Sequence, residues 1–422
     1  MSTATRRERA SLPGSVGRHP WAWAATVGGV VAAGAMTWWC TQLWGLPDIA
    51  APFDVAAVRD ASIPDERNAF FEYRDASAAL DAIQRANRLR PDWPKYGGEW
   101  SKVDPAWRKL LALAGPALVT WRAGSERPDY LYPHPGGPGM KTILPVSQGL
   151  GVLGRLAILE GSRRGEAGEM AEAWGWYRAA FRSSRHNGRH GFQIERLMGA
   201  ALHKFTADAL TRWASDPRVD APLLRRALAE VIAADALTWP ESGLVRTNYL
   251  MLVESMRDPD LVEEVLVANM YGDETDWSQR LPVPKAAQGP LQRVRVLAAD
   301  DRERSLRVIK LVTANWLAEV DKPPARRAPL VRADPPIYDV PGALDARALG
   351  AWLDSSLLGG RFLRAHAKAT PNIERERPRQ ARLVVHLADQ LYRREHGRPP
   401  ASPADLVGPD LKELPEGHDA PP

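Results

Sequence analysis

The sequence has one cysteine, Cys40, in 422 residues. It lies inside an uncharged apolar run, so the rest of the chain can form no disulfide and offers no thiol for catalysis or metal binding. There is no G-x-S-x-G elbow, no phosphate loop and no H-E-x-x-H zinc pair. No convincing series of alternating strands occurs, and no βαβ rhythm. Charge of one sign is also in short supply. Net charge is +5, and four arginines against one glutamate in the first 20 residues already supply +3 of it. The remainder is close to neutral, so no nucleic-acid partner is expected.

The longest absence of charge is the most informative. No Asp, Glu, Lys or Arg stands between His19 and Asp48. A helix from Trp21 to Leu46 would be about 39 Å long, and roughly 20 residues suffice to cross the hydrocarbon layer. Trp21 and Trp23 mark one border of this run; Trp38, Trp39 and Trp44 mark the other. Arg6, Arg7, Arg9 and Arg18 flank it against Glu8, while Asp48, Asp54 and Asp60 follow it against Arg59. The positive-inside rule then predicts a single-pass protein of the cytoplasmic membrane, with its N-terminus inside and the bulk of the chain extracytoplasmic. The lipid bilayer is its first expected partner, through residues 21–46. The alternative is a signal peptide cleaved after Ala35, where Ala33-Gly34-Ala35 supplies small residues. Cleavage there would leave Met36-Thr37-Trp38-Trp39 as a poor soluble terminus, which favours the anchor. Cys40 follows two tryptophans rather than the small residues of a lipoprotein signal. Ala25, Gly29 and Ala33 recur every four residues, a spacing compatible with self-association and equally common in unassociated membrane helices.

Beyond the run, helical periodicity dominates, and 45% hydrophobic residues allow a sizeable core. The expected fold is all-α: a transmembrane helix followed by an irregular multi-helix exported domain. Ser62-Ile63-Pro64-Asp65 reads as a helix start, with Phe70, Tyr73, Ser77, Leu80 and Ile83 on one face. Asp104-Pro105 starts the next helix, carrying Trp107, Leu110, Leu111 and Ala114, and Pro116 kinks or ends it. Residues 125–140 hold many prolines and glycines around Tyr130, Tyr132 and His134; the rings are expected to pin this loop to the core. From Ile143 to Trp239 the helical signal is strongest. Ile194, Met198, Ala201, Phe205 and Ala209 line one predicted face. Asp220 and Pro222 open another helix, with Leu224, Leu228, Val231 and Ile232 inside. A looser helix covers 243–270. The expected organisation is a cytoplasmic basic tail (1–20), the membrane helix (21–46) and a helical exported domain (47–271). A linker (272–290), a helix packing on the domain (291–320) and a proline-rich spacer (321–343) follow. C-terminal helices near 344–368 and 376–395, with a tail, complete 344–422.

Several patterns invite a chemical reading. Gly149, Gly151 and Gly154 match G-x-G-x-x-G, but no parallel-sheet pattern surrounds them, so close helix packing is expected instead of a dinucleotide. Gly161, Gly168, Ala173, Tyr177 and Ala180 resemble a single tetratricopeptide repeat, in which small residues let paired helices touch. Glu160 and Arg164 stand where that repeat has a leucine and an aromatic, so only one helical hairpin is implied. The densest polar cluster runs from Arg182 to Gly191. Its Arg182, Arg185, His186, Arg189 and His190 are the candidate contacts for an anion or a partner; the plainer reading is a solvated connector with arginines on helix C-termini. His186, His190, Glu195 and His203 show none of the known zinc spacings, and no metal, cofactor or catalytic residue is assigned. Glu160 and Glu195 fall in apolar helical stretches, where burial would raise their pKa. Pairing with nearby arginines is the favoured explanation of both.

The ending has clear local logic. A helix stops at Gly397, which takes a left-handed turn. Ser402, Pro403 and Asp405 then form a capped start. The stretch from Tyr392 to Pro400 resembles the helix-turn segment of pseudopilin-like envelope proteins. With Ile63-Pro64-Asp65-Glu66, residues Ala173 to Ala180, Ser184-Arg185-His186 and Gly188 to Gly191, the layout resembles an uncharacterised family of bacterial single-pass envelope proteins. That resemblance implies an anchored helical protein outside the cytoplasm and no particular activity. The leading expectation is an interaction or structural protein of the cell envelope, with another envelope protein as partner. The alternatives are an envelope hydrolase using Glu160 or Glu195 as acid/base and an anion-binding sensor.

Overall fold

A computed structural model describes residues 25–34, 37, 48–89, 100–132, 144–257, 299–322, 326 and 373–418. The chain divides into two compact units, Met1–Asp48 and Ile49–Pro422. In the first, residues 25–34 are helical, and Val27, Val30 and Val31 are 56%, 67% and 64% exposed. The Thr37 hydroxyl donates to the Ala33 carbonyl at 2.8 Å. Among the described residues no helix is long and apolar enough to cross a membrane. The remainder of the expected span, 21–24, 35–36 and 38–46, lies outside them.

The second unit is all-α. Among the described residues its helices are α1 (Val55–Arg59), α2 (Phe70–Asn87), α3 (Pro105–Leu113), α4 (Gly115–Ser125), α5 (Leu144–Glu166) and α6 (Met170–His186). They continue with α7 (Gln193–Ser215), α8 (Ala221–Asp235), α9 (Glu241–Arg257), α10 (Ala299–Glu319) and α11 (Glu376–His396). Extended pairing among the described residues is limited to one isolated bridge, Asn68 with Asp129. The expected linker 272–290 and the helix near 344–368 fall outside the described residues, as do His134 and nearly all of the spacer 321–343.

Local chemistry sets the helix ends. The Asp104 carboxylate accepts the Ala106 N–H at 2.6 Å and Pro105 opens α3; α3 gives way to α4 at Ala114, with Pro116 in the first turn of α4. Asp220 accepts the Leu223 N–H at 2.9 Å and starts α8. The start expected at Ser62 is corrected. Residues Asp65–Arg67 form one 3-10 turn, and α2 begins only at Phe70. The reason is Asn68, whose side-chain oxygen accepts the N–H of Phe70 at 3.1 Å and of Leu131 at 2.9 Å. One amide thus holds the first N–H of α2 and ties down the loop after α4. Tyr130 is fully buried there, and Tyr132 packs edge-on to Phe70 at 4.7 Å.

Close helix approach depends on small residues. A Cβ on Gly149 would meet Ser77 of α2 at 2.5 Å, and one on Gly154 would meet Leu202 of α7 at 2.6 Å. The G-x-G-x-x-G stretch is therefore a packing seam within α5. Helices α5 and α6 form a hairpin, turning at Gly168 with φ of 84°. Helix α11 lies against α7 and α8, burying Leu383, Val384, Leu387, Ala388 and Leu391. Each fully buried leucine contributes about 1.5–3 kcal/mol relative to exposure. α11 stops at Gly397 with φ of 65°. The Asp405 carboxylate then accepts the N–H groups of Ala401 and Ser402 at 2.7 and 3.0 Å. A smaller core joins α1, α9 and α10 through Phe53, Val55, Tyr249, Leu250, Met256 and Ile309.

The face predicted for α7 is only partly interior, with Ala209 at its far end 1% exposed. Ile194 is 44% exposed, Ala201 is exposed and Met198 and Phe205 are half-buried. The interior face carries Glu195, Arg196, Gly199, His203 and Thr206 in its first half, with Leu202, Leu210 and Trp213 buried beside and beyond them. On α8, Leu224, Leu228 and Val231 are buried as expected, whereas Ile232 is exposed.

Candidate functional site

The polar interior of α7 faces the end of α6, and backbone geometry explains how it fits. Gly188 has φ of 90° and His190 φ of 54°, so the chain reverses sharply after α6. A Cβ on Gly199 would meet the Asn187 carbonyl at 2.5 Å; its absence lets α7 rest on the last turn of α6. Residues 182–186 are the closing turn of α6 and 187–191 the connector, and most of this stretch is buried. The solvated connector expected from composition is thus an interior junction.

The five candidate contact residues are drawn to different parts of the fold. Arg182 donates to the carbonyls of Ser125, Glu126 and Arg127 at 2.6, 3.3 and 3.1 Å, placing a cation at the C-terminal end of α4, where the helix dipole favours one. Arg185 pairs with Glu376 and with Asp235, the latter at 2.9 Å. His186 is fully buried, with Nδ1 2.9 Å from the Tyr73 hydroxyl. Arg189 and His190 come together on one oxygen of Asp129, at 2.6 and 3.5 Å. The Tyr130 N–H donates to that same oxygen at 2.9 Å. The negative group these two side chains were expected to hold is supplied by the chain itself.

A buried ionic cluster centres on Glu376, the first residue of α11. Glu376 and Arg185 are each only 2% exposed. Arg196 pairs with the second carboxylate oxygen at 2.5 Å. Burial alone would raise the Glu376 carboxyl; Arg196 and Arg185 outweigh it and hold it at about 2. Arg185 itself is pulled below the usual guanidinium value by desolvation, opposed by Glu376 and Asp235. His203 is pushed down to about 3 by burial and by Arg185, so it is neutral. Arg185 carries only N–H donors and lies 3.3 Å from Nε2 of His203, so Nε2 is an acceptor. The Gln380 amide oxygen lies 3.1 Å from the same nitrogen, and turning that amide over would bring its NH2 there to donate.

The two glutamates part ways. Arg163 and Arg164 reach Glu160 at 2.6 and 2.8 Å. Burial would raise its pKa, but these two partners lower it. Glu195 departs from the expected arginine pairing. It accepts the Ser147 hydroxyl at 2.9 Å and the Phe192 N–H at 3.0 Å, and burial pushes its pKa up. Its sequence neighbour Arg196 turns to Glu376 instead. Exposure is 7% for Glu160 and 2% for Glu195.

Among the described residues no group of three or more His, Cys, Asp or Glu side chains converges to hold a metal ion. His186 and His190, despite helical spacing in sequence, face Tyr73 and Asp129 respectively. Sequence reasoning overlooked Glu376, Gln380, Arg196, Asp235 and Asp129. A local signal existed for one of them: Arg196, Gly199, His203 and Thr206 recur at helical spacing as a small and polar stripe. Glu376 has none, because it lies 180 residues from Arg196. The assembled groups can hold helices in register through ion pairs and hydrogen bonds, and their charges are spent on one another. Comparison with protein-family models, with characterised proteins and with solved structures finds no match to this chain.

Proposed function

We propose that this protein is a membrane-anchored interaction or structural protein of the cell envelope. Residues 21–46 hold it in the cytoplasmic membrane with the N-terminus inside, and the helical unit serves as a scaffold on the outer side. The observation that carries this reading is the uncharged run itself. It is supported by the helix at 25–34, whose three valines are more than half exposed; lipid tails would cover such a surface. The basic flank before the run and the acidic flank after it support the orientation. Within the scaffold, the α5–α6 pair is tetratricopeptide-like, with Gly161 admitting the Tyr177 ring. Its partner is another envelope protein, and Ala25, Gly29 and Ala33 provide a face for self-association.

Two observations disfavour the alternatives. A hydrolytic acid/base must reach solvent and substrate; Glu195 is buried, and Glu160 is committed to Arg163 and Arg164. An anion sensor needs free donors, and Arg185, Arg189 and His190 already face Glu376 or Asp129.

Alkaline carbonate extraction of membranes, with a C-terminal reporter active only outside the cytoplasm, tests the proposal. Retention in the pellet together with reporter activity is expected. Release of the intact chain by carbonate, or a silent reporter, would overturn it.

A further inference from the structure

Helices α6 and α7 carry two arginines into the interior, and neither finds its main counter-charge nearby in the chain. Arg185 and Arg196 are both buried, and the single carboxylate of Glu376 pairs with both. That carboxylate lies 191 residues beyond Arg185 and 180 beyond Arg196. Asp235 also meets Arg185, but its own side chain is half-exposed, which weakens the pairing. A guanidinium buried without its partner is strongly unfavourable. The α6–α7 junction therefore depends on α11. The same helix presents Gln380 to His203 at 3.1 Å. At its other end Arg394 donates to the carbonyls of Asp216 and Val219 at 2.9 and 3.1 Å, closing the turn between α7 and α8. Between those ends Leu383, Val384, Leu387 and Leu391 complete the core.

We propose that α11 is a folding clasp: α6, α7 and α8 reach their native packing only when Glu376 stands between Arg185 and Arg196. The distal helix and the body it covers then open and close as one cooperative unit. On the exported reading above, and only there, this keeps the body open until residue 376 has crossed the membrane. The clasp itself is independent of where the protein resides.

Native-state hydrogen exchange on the full chain, in detergent and in low urea, separates the possibilities. Segments 170–186, 193–215 and 376–396 are expected to lose protection together, with one shared dependence on urea. Opening of 376–396 alone, while 170–215 stays protected, would overturn the clasp. Pulse-labelled refolding gives a second measure. Glu376→Gln should slow the gain of protection in all three segments by about tenfold. A delay confined to 376–396 would again overturn it. Replacing Arg185, Arg196 and Glu376 together by methionine removes the need for the clasp, so 170–215 should then protect before 376–396; if the segments instead remain coupled, the ionic explanation fails.

Discussion

Gly161 of α5 faces the ring of Tyr177 of α6 so closely that a Cβ on residue 161 would meet Cε1 at 2.6 Å. The tyrosine hydroxyl, 3.3 Å from Ser162 Oγ, is anchored on the same helix. The ring is buried and has little room to retreat. Gly161→Ala should therefore lower stability by about 1–3 kcal/mol, the usual range for overpacking. Gly165, one turn on, has only Ala173 at 3.9 Å. Gly165→Ala should leave stability unchanged or raise it by up to about 1 kcal/mol. Urea titrations of the two variants give the comparison; equal midpoints would contradict the packing argument.

Buried histidines give the protein an acid sensitivity of definite sign. His186 and His203 are each pushed down to about 3, by burial first and then by Arg182 and Arg185 respectively. Unfolded histidine titrates near 6.5. Between about 6.5 and about 3 the unfolded chain binds protons that the folded chain refuses, so stability rises with pH. The contribution is fully present above about 6.5 and falls by about 1.4 kcal/mol per pH unit per histidine as acid is added. Glu376, held at about 2, adds a loss of the same sign below the usual glutamate value. Urea midpoints measured from about pH 7 down to about pH 5 should fall steadily; a flat profile would refute neutral burial of the two rings.

Glu195 works in the opposite direction. Its raised pKa means that the unfolded state gives up the proton first, so this group destabilises the fold as pH rises past the ordinary glutamate value. Glu195→Gln keeps an acceptor for the Phe192 N–H, and the new NH2 can donate to the Ser147 hydroxyl, which accepts as readily as it donates. The variant should be more stable than the parent at about pH 8, with the gain shrinking toward about pH 4.5. Thermal melts across that range test this; a variant weaker at every pH would show that the carboxylate is needed.

Asp129 is bound by Arg189, His190 and the Tyr130 N–H, all on one oxygen. Its pKa is lowered: burial pushes it up, but His190, the Tyr130 N–H and Arg189 prevail. Asp129→Ala should cost about 1–3 kcal/mol by leaving those donors unpaired. It should also let sulfate or phosphate stabilise the variant, as it fills the place of the lost carboxylate. Calorimetric titration should show heat for the variant and none for the parent chain. Heat from the parent would mean that an anion binds despite Asp129.

Breaking the interior ion cluster should be more severe. Glu376→Gln leaves two buried guanidinium groups against one half-exposed aspartate, and a loss of about 3–5 kcal/mol follows. Glu395→Gln, on the exposed Arg225 pair at the other end of α11, should change stability far less. Similar losses in both would remove the distinction between buried and exposed pairs.

Much of the helical layout could be read directly. Asp104-Pro105, Asp220 with Pro222, Gly397, and Ser402 with Asp405 mark helix ends by chemistry that acts within a few residues, and each lies at such an end in the fold. The apolar faces of α2, α3 and α8 follow from periodicity for the same reason. Reading went astray over the first turns of α7, where Ile194 and Ala201 lie outward and Glu195, Arg196 and His203 turn inward, while Ala209, Leu210 and Trp213 further along are buried.

Local spacing and side-chain type were enough to determine helices, caps, the uncharged run and the lack of thiol chemistry, because each depends on neighbours within one or two turns. Which face of α7 is interior, and which carboxylate meets which arginine, was decided only by tertiary structure. A buried charge is tolerable where a partner from elsewhere in the chain arrives, and Glu376, Asp235 and Asp129 reach theirs only after the helices have packed.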